Sequence, residues 1–103
     1  MKTVCVFGSF NILHPGHLRL LRFAKESGDR LIVAVKSDRL AGQDAHIHES
    51  VRLEGVSSIG WVDETFIFDE SESKVITRLR PDIVIKGKEH EHGFNPELEA
   101  LKQ

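Results

Sequence analysis

Two histidines, His14 and His17, stand at the predicted start of a helix and are the side chains of this chain best suited to chemistry. The helix is predicted from Pro15, because proline is well tolerated in a first helical turn. Backbone N–H groups at a helix N-terminus attract anions, and imidazoles donate hydrogen bonds to phosphate oxygens. The spacing therefore predicts a polyphosphate site, with both histidines partly exposed.

A short strand is predicted just before this helix and would position the helix start. Thr3 to Phe7 is a run of apolar and β-prone residues and predicts a buried strand. Gly8 follows it and would allow a sharp exit from the strand and a close approach of ligand to the backbone. The helix is predicted over Pro15–Ser27, with its core face formed by the apolar residues Leu18, Leu21, Phe23 and Ala24.

Strand-like and helix-like segments alternate along the rest of the chain. Further strands are predicted over 30–35, 64–68 and 82–85, and further helices over 49–59, from a cap at Ser71 or Ser73 to Leu79, and from Asn95. Val51, Leu53 and Val56 are expected on the inner face of the second helix. Alternation of this kind predicts a three-layer α/β fold with a doubly wound parallel sheet. Ligands of such sheets bind beyond the carboxyl ends of the strands, where the strand order reverses.

Composition limits the class of protein. The 103 residues are enough for one domain, expected to span 1–103, with 40% hydrophobic and 29% charged residues. A net charge of −2 without a basic run argues against nucleic-acid binding, and no apolar stretch is long enough for a membrane span. The single cysteine, Cys5, is expected to be a core residue in a reducing compartment. With no signal region after Met1, the expectation is a cytoplasmic protein.

The segment from Gly8 to His17 resembles the G-[ST]-F-[DN]-x-x-H-x-G-H motif of the cytidylyltransferase-like nucleotidyltransferases. The resemblance continues through Gly28–Asp38, Val62–Glu64 and Arg80–Gly87. Within the family, the run from Phe66 to Gly87 is most similar to the sugar-phosphate branch, typified by the nucleotidyltransferase domain of ADP-heptose synthase, and next to glycerol-3-phosphate cytidylyltransferase. This resemblance implies a Rossmann-like fold.

The resemblance also implies an activity. A member of this family would join a nucleoside triphosphate, CTP or ATP, to a sugar or polyol phosphate and release pyrophosphate. Mg²⁺ would accompany the triphosphate, and the protein alone would form no metal site. His14 and His17 would be catalytic. The implied nucleotide-binding residues are Gly8, Ser9, Phe10, Asn11, His14, Gly16, His17, Lys86, Gly87 and Glu89, and the implied substrate-binding residues are Asp38, Arg52 and Lys88. The plainer alternatives are a charged exposed loop for residues 86–89 and a surface arginine for Arg52.

The chain departs from the family pattern in three places. Asn11 replaces the commoner aspartate, and the loop after the second strand carries Arg39, Gln43, Asp44 and His46 but no lysine beyond Lys36. No strand and no second phosphate loop follow the helix predicted from Asn95, so we expect either further residues in the natural protein or a homodimer that covers this region. Two alternatives stay open: a degenerate nucleotide-binding domain, and an adenylyltransferase of the pantetheine-phosphate or nicotinamide-mononucleotide type.

Two further histidine pairs, His46 with His48 and His90 with His92, lie in polar sequence. Alternation would place each pair on one side of an extended segment, where it could chelate a metal. Solvated loop histidines are the simpler interpretation. Trp61 and Phe94 are expected to be packing residues.

Overall fold

The part of the chain that the computed structural model describes, residues 1–11, 15–42 and 47–86, contains four strands and four helices. In chain order they are β1 (Thr3–Gly8), α1 (Pro15–Glu26), β2 (Arg30–Lys36), α2 (Asp38–Ala41), α3 (Glu49–Ser57), β3 (Glu64–Phe68), α4 (Glu72–Leu79) and β4 (Ile83–Lys86). Every predicted element within these ranges is present, with ends that move by one or two residues. The short helix α2 was not predicted, and the helix expected from Asn95 lies outside the described residues.

The strands form one parallel sheet in the order β3-β2-β1-β4. The chain moves outward from β1 to β2 and β3, and then crosses back to add β4 on the other side of β1. The strand order therefore reverses beside β1, and the predicted ligand edge of the sheet is the carboxyl end of β1 and β4.

Alternation along the central strands divides the core into two layers. Val4 and Val6 of β1 and Val33 of β2 pack with α1 and α3, whereas Cys5 and Phe7 pack with α4 on the other face. Both faces are covered by helices, so the β1 and β2 sequences are continuously apolar, as expected of central parallel strands. This arrangement confirms the predicted three-layer, doubly wound α/β fold.

An aspartate just before each of β2, β3 and β4 fastens that strand to its neighbour at the amino end of the sheet. In each case the carboxylate accepts a hydrogen bond of 2.7 Å from a backbone N–H, and the aspartate's own N–H donates to the same residue's carbonyl at 2.8 to 3.0 Å. The pairs are Asp29 with Lys2, Asp63 with Leu31 and Asp82 with Thr3. These two-point contacts fix the register of the sheet at the edge opposite the predicted ligand site.

Two residues that were predicted to lie in the core are exposed. Leu18 is 37% exposed and Val51 is 53% exposed. The inward stripe of α1 is His17, Leu20, Leu21 and Ala24, and the inward residues of α3 are Arg52 and Val56. A polar residue thus takes an inward position on each helix and turns the neighbouring apolar residue outward.

Candidate active site

Three chain segments meet at the carboxyl edge of the sheet. In the strand register Gly8 lies opposite Val35, and Phe7 lies opposite Lys86. The loop that begins at Ser9, the end of β2 and the end of β4 are therefore neighbours. The structure thus brings Lys86 to the same edge as the loop after β1, as the sequence predicted.

The loop after β1 turns at Phe10 and not at Gly8. Gly8 is the last residue of β1, whereas Phe10 has a φ of +56° and is 2% exposed. Left-handed backbone is unfavourable for a bulky residue and persists only where the surroundings hold it. The strand ends at Gly8 as expected, but the left-handed residue of the loop is Phe10, whose side chain belongs to the core cluster of α1 and α3.

His17 lies in the first turn of α1 and points inward. It is 6% exposed, and its ring centroid is 5.8 Å from that of Phe10, with the rings tilted by 56°. The expectation of a partly exposed histidine is therefore wrong for His17. The left-handed residue of the loop and the buried imidazole of the helix form one packed unit.

The start of α1 has the electrostatic character of an anion site. Pro15 and Gly16 open the helix, and no acidic residue lies in its first turn. The helix dipole places partial positive charge there, next to Ser9, Phe10 and Asn11. The predicted residues Gly8, Ser9, Phe10, Asn11, Gly16 and His17 thus flank one loop, whereas His14 lies outside the described residues.

The loop after β2 is folded into α2 and fastened to the end of β3. Ser37 caps α2 by accepting from the N–H of Leu40 at 3.1 Å, and its hydroxyl donates to Asp69 at 2.6 Å. Arg39 also donates to this carboxylate, through Nε at 3.0 Å. The Ser37 hydrogen bond, followed by the Arg39 one, lowers the pKa of Asp69. Sequence reasoning assigned no role to Ser37 or Asp69, although a serine just before a short helix is a capping signal.

Asp38 and Arg52, both predicted to bind substrate, bind each other. Nη2 of Arg52 is 2.7 Å from Oδ1 of Asp38, and this hydrogen bond is the main cause of the lowered pKa of Asp38. The interpretation of Arg52 as an exposed surface arginine is wrong, because its side chain is 0% exposed. A polar residue on the inner face of a helix was the only sequence signal for this burial.

His48 has a structural role that the sequence did not indicate. Its Nδ1 accepts from the N–H of Ser50 at 3.1 Å and caps α3, while its Nε2 is 3.6 Å from Asp38. The other histidines of the suggested metal pairs, His46, His90 and His92, lie outside the described residues. Among the residues that are described, no group of three or more His, Cys, Asp or Glu side chains is placed to hold a metal.

Lys86 is exposed at the end of β4, where its Nζ lies 3.0 Å from Glu72 in the first turn of α4. The remaining predicted residues of this loop, Gly87, Lys88 and Glu89, lie outside the described ranges. Trp61 is 37% exposed, and Phe94 is outside the description. No helix among the described residues has the length and apolar character needed to cross a membrane.

Known proteins are similar to this chain in sequence and in fold. A family model described as cytidylyltransferase-like matches residues 5–102. The chain is 41% identical over 97 residues to the bifunctional protein HldE of Marinomonas sp. (strain MWYL1), and 43% identical over 96 residues to that of Campylobacter curvus (strain 525.92). These matches cover 86% and 87% of the chain but 20% of each relative, so the chain spans about a fifth of the length of the curated relatives that it matches.

A solved structure has the same fold. The crystal structure of the lipopolysaccharide core biosynthesis protein from Thermoplasma volcanium GSS1 superposes with a TM-score of 0.75 at 34% identity, over 82% of this chain and 73% of that one. The likeness therefore extends over most of both chains.

Proposed function

The chain belongs to the cytidylyltransferase-like family, and we propose that it transfers a nucleotidyl group from CTP or ATP to a sugar or polyol phosphate with release of pyrophosphate. The observation that carries the proposal is the packed unit of Phe10 and His17 at the start of α1. The buried imidazole of His17 and a helix N-terminus lie together at the switch point of a parallel sheet, where such sheets bind their ligands.

In the proposed reaction an oxygen of the acceptor phosphate attacks the α-phosphorus of the triphosphate. The new P–O bond forms as the bond to the β-phosphate bridging oxygen breaks, and that oxygen leaves with pyrophosphate. Such a transfer needs in-line positioning and neutralisation of the charge that grows on the phosphate oxygens. His17, His14 and the N-terminus of α1 would supply hydrogen bonds and positive charge to these oxygens, and the loop Gly8–Asn11 would hold the α-phosphate against the sheet edge.

Magnesium belongs to the proposal as a companion of the triphosphate. Mg²⁺ keeps several waters and is usually bound through one or two protein oxygens together with substrate phosphates. In the proposed complex the triphosphate would hold the ion, and Asn11, in the loop that leads to α1, is the residue placed to contribute a neutral amide oxygen. When bound, the ion would neutralise charge on the phosphates.

The acceptor is proposed from the relatives. The solved relative is described as a lipopolysaccharide core biosynthesis protein, a description that names a saccharide product. A phosphorylated sugar is therefore the first acceptor to test. Lys86 and Lys88 would contact phosphate groups, and Glu89 would accept hydrogen bonds from the ribose or base.

A pyrophosphate-release screen tests the proposal. Each common nucleoside triphosphate is combined with a panel of sugar and polyol phosphates, with pantetheine phosphate and nicotinamide mononucleotide in the same panel. We expect Mg²⁺-dependent release with CTP or ATP and a sugar or polyol phosphate. Turnover only with one of the last two acceptors would replace the proposal by an adenylyltransferase of that type. Triphosphate binding in calorimetry without turnover on any acceptor would favour the degenerate nucleotide-binding domain.

The proposed setting is a cytoplasmic homodimer. β3 and β4 are the outer strands of the described sheet, and outer strands tend to pair with other chains or to be covered. Light scattering at several concentrations measures the oligomeric state, and a monomer at all of them would overturn the dimer without affecting the proposed reaction.

A further inference from the structure

Arg52 is the most deeply buried charged group among the described residues, and its hydrogen bonds go to the protein itself. Nε donates to the carbonyl of Ile47 at 2.8 Å, Nη1 donates to the carbonyls of Ser9 and Lys36 at 2.7 Å each, and Nη2 donates to Asp38 at 2.7 Å. The guanidinium is therefore bonded on all three nitrogens, and its side chain is 0% exposed. No surface of this group is open to a substrate.

The four acceptors come from separate parts of the carboxyl edge. Ser9 lies in the loop after β1, Lys36 ends β2, Asp38 begins α2, and Ile47 precedes α3. Hydrogen bonds from charged donors are roughly twice as strong as neutral ones, and the planar guanidinium fixes the directions of its donors. Arg52 thus ties the loop after β1 to the end of β2 and to the segments that begin α2 and α3.

One of these contacts lies next to the proposed catalytic unit. The Ser9 carbonyl belongs to the peptide bond that leads into Phe10, whose φ of +56° must be held by its surroundings. Phe10 in turn packs against His17. A bond at the Ser9 carbonyl therefore restrains the rotation of this peptide and, through Phe10, the imidazole of His17.

We propose that Arg52 is a positioning residue, which holds the Ser9–Phe10 peptide and thereby the orientation of His17, and does not contact substrate. Its role in turnover rests on the proposed function, whereas its hold on the loop does not. Asp38 is the partner that compensates the buried charge, since an unpaired guanidinium would be costly at this depth. This assignment differs from the direct substrate contact that family resemblance implied for both residues.

The test uses Arg52→Lys, which keeps the charge but cannot reach all four acceptors, and Asp38→Asn, a milder change at the half-exposed end of the pair. Asp63→Asn serves as the control, because it removes an ion-paired carboxylate at the opposite edge of the sheet. The first measurement is the NMR spectrum of the ligand-free protein, read at the Phe10 amide and the His17 imidazole. The second is the separation of kcat from KM for both substrates.

We expect the Phe10 and His17 resonances to move in Arg52→Lys and Asp38→Asn but not in Asp63→Asn. We also expect kcat to fall about a hundredfold in Arg52→Lys, because a displacement of a catalytic group by about 1 Å can cost that much. The KM values should change less. Unchanged Phe10 and His17 resonances in a folded Arg52→Lys protein, with a raised KM for one substrate, would overturn the proposal and restore direct contact. If Arg52→Lys does not fold, Asp38→Asn decides by the same two readouts.

The two proposals fail in different ways. If the wild-type protein transfers no nucleotidyl group, the proposed function fails, while the spectra of the ligand-free variants still decide whether Arg52 holds the loop. If the wild type is active and the spectra do not move, only the positioning role fails.

Discussion

At the scale of single residues, the proposed chemistry makes its sharpest prediction at His17. His17→Ala should lower turnover about a hundredfold to a thousandfold, the usual effect of removing one preorganised donor to transition-state charge. Because His17 is 6% exposed and packs on Phe10, the change should also reduce the free energy of unfolding by about 2 kcal/mol. Enzyme assays normalised to the folded fraction measure the first effect, and urea unfolding measures the second.

Val75→Ala is the matched control for His17→Ala. Val75 is fully buried in the core layer on the other face of the sheet, so its truncation should cost about the same stability and leave turnover per folded molecule unchanged. If both variants lose turnover equally, the effect at His17 is one of stability and the catalytic assignment is wrong.

Cys5 carries a separate prediction about reactivity. Burial in β1, with a smaller contribution from the negative charge of Glu72, raises the pKa of the Cys5 thiol to about 12. The thiol is therefore protonated at neutral pH, and the native protein should resist alkylating reagents until urea unfolds it. Stoichiometric labelling of the native protein, faster than unfolding, would contradict this.

Sequence patterns predicted the apolar residues of the core better than the polar ones. Val4 to Phe7 of β1, Leu21 and Val56 were expected in the core and are buried there. Leu18 and Val51 were expected inside and lie outside, because His17 and Arg52 occupy the inward positions. A hydrophobicity pattern cannot anticipate a buried guanidinium, since its burial depends on carbonyl groups that only the folded chain brings together.

At the scale of elements, α3 depends on an unusual cap. Nδ1 of His48 accepts from the Ser50 N–H at the start of the helix. His48→Ala should therefore lower the free energy of unfolding by about 1 kcal/mol, whereas His48→Asn should lower it less, because asparagine is a strong N-cap residue. Urea unfolding of both variants measures the difference. Equal losses in the two variants would mean that the contact with Asp38, and not the cap, accounts for the effect.

Element boundaries followed from the sequence where the turn chemistry is strong. Pro81 predicted the end of α4, which closes at Leu79 with Arg80 in left-handed backbone. Ser71, one of two candidate caps, accepts from the N–H of Lys74. The helix α2 was not predicted, because its four residues are too few to show a helical periodicity of apolar residues. Its capping residue, Ser37, is held by a hydrogen bond to Asp69, which is distant in sequence. The turn at Phe10 was missed for a similar reason, since the core and not local preference holds it.

At the scale of the whole molecule, the amino and carboxyl ends of the sheet differ in the contacts that they make. The amino edge is closed by aspartates that pair with strand ends, as Asp63 does with Leu31, and the carboxyl edge carries the anion-attracting start of α1 with the Arg52 contacts behind it. Strand register fixed at one edge sets the positions of the loops at the other, because the strands between them are buried and continuous. The register survives a change such as Asp63→Asn, because the amide can still accept from the Leu31 N–H.

Three aspartates with lowered pKa values predict a response to acid. Hydrogen bonds lower the pKa values of Asp38, Asp63 and Asp69 in the folded protein below the ordinary value of 3.8. For Asp63 the largest contribution comes from the hydrogen bond with Lys25, followed by that from the Leu31 N–H. A carboxyl group with a lowered folded pKa contributes stability above its unfolded pKa, and this contribution is lost as the pH falls through the folded value. The free energy of unfolding should therefore be steady near neutrality and should decrease as the pH falls below about 4.

Asp63→Asn isolates one part of this response. The amide can still accept from the Leu31 N–H but cannot titrate, so the variant should lose less stability between neutral pH and about pH 3 than the wild type does. The difference should be no more than about 1 kcal/mol, because the Asp63 side chain is 41% exposed and solvent screens its ion pair. Glu26→Gln, at the exposed ion pair with Arg22 on α1, is the control and should follow the wild-type profile. Urea unfolding at a series of pH values measures all three profiles. Parallel profiles for Asp63→Asn and the wild type would show that the contacts of Asp63 do not contribute to acid stability.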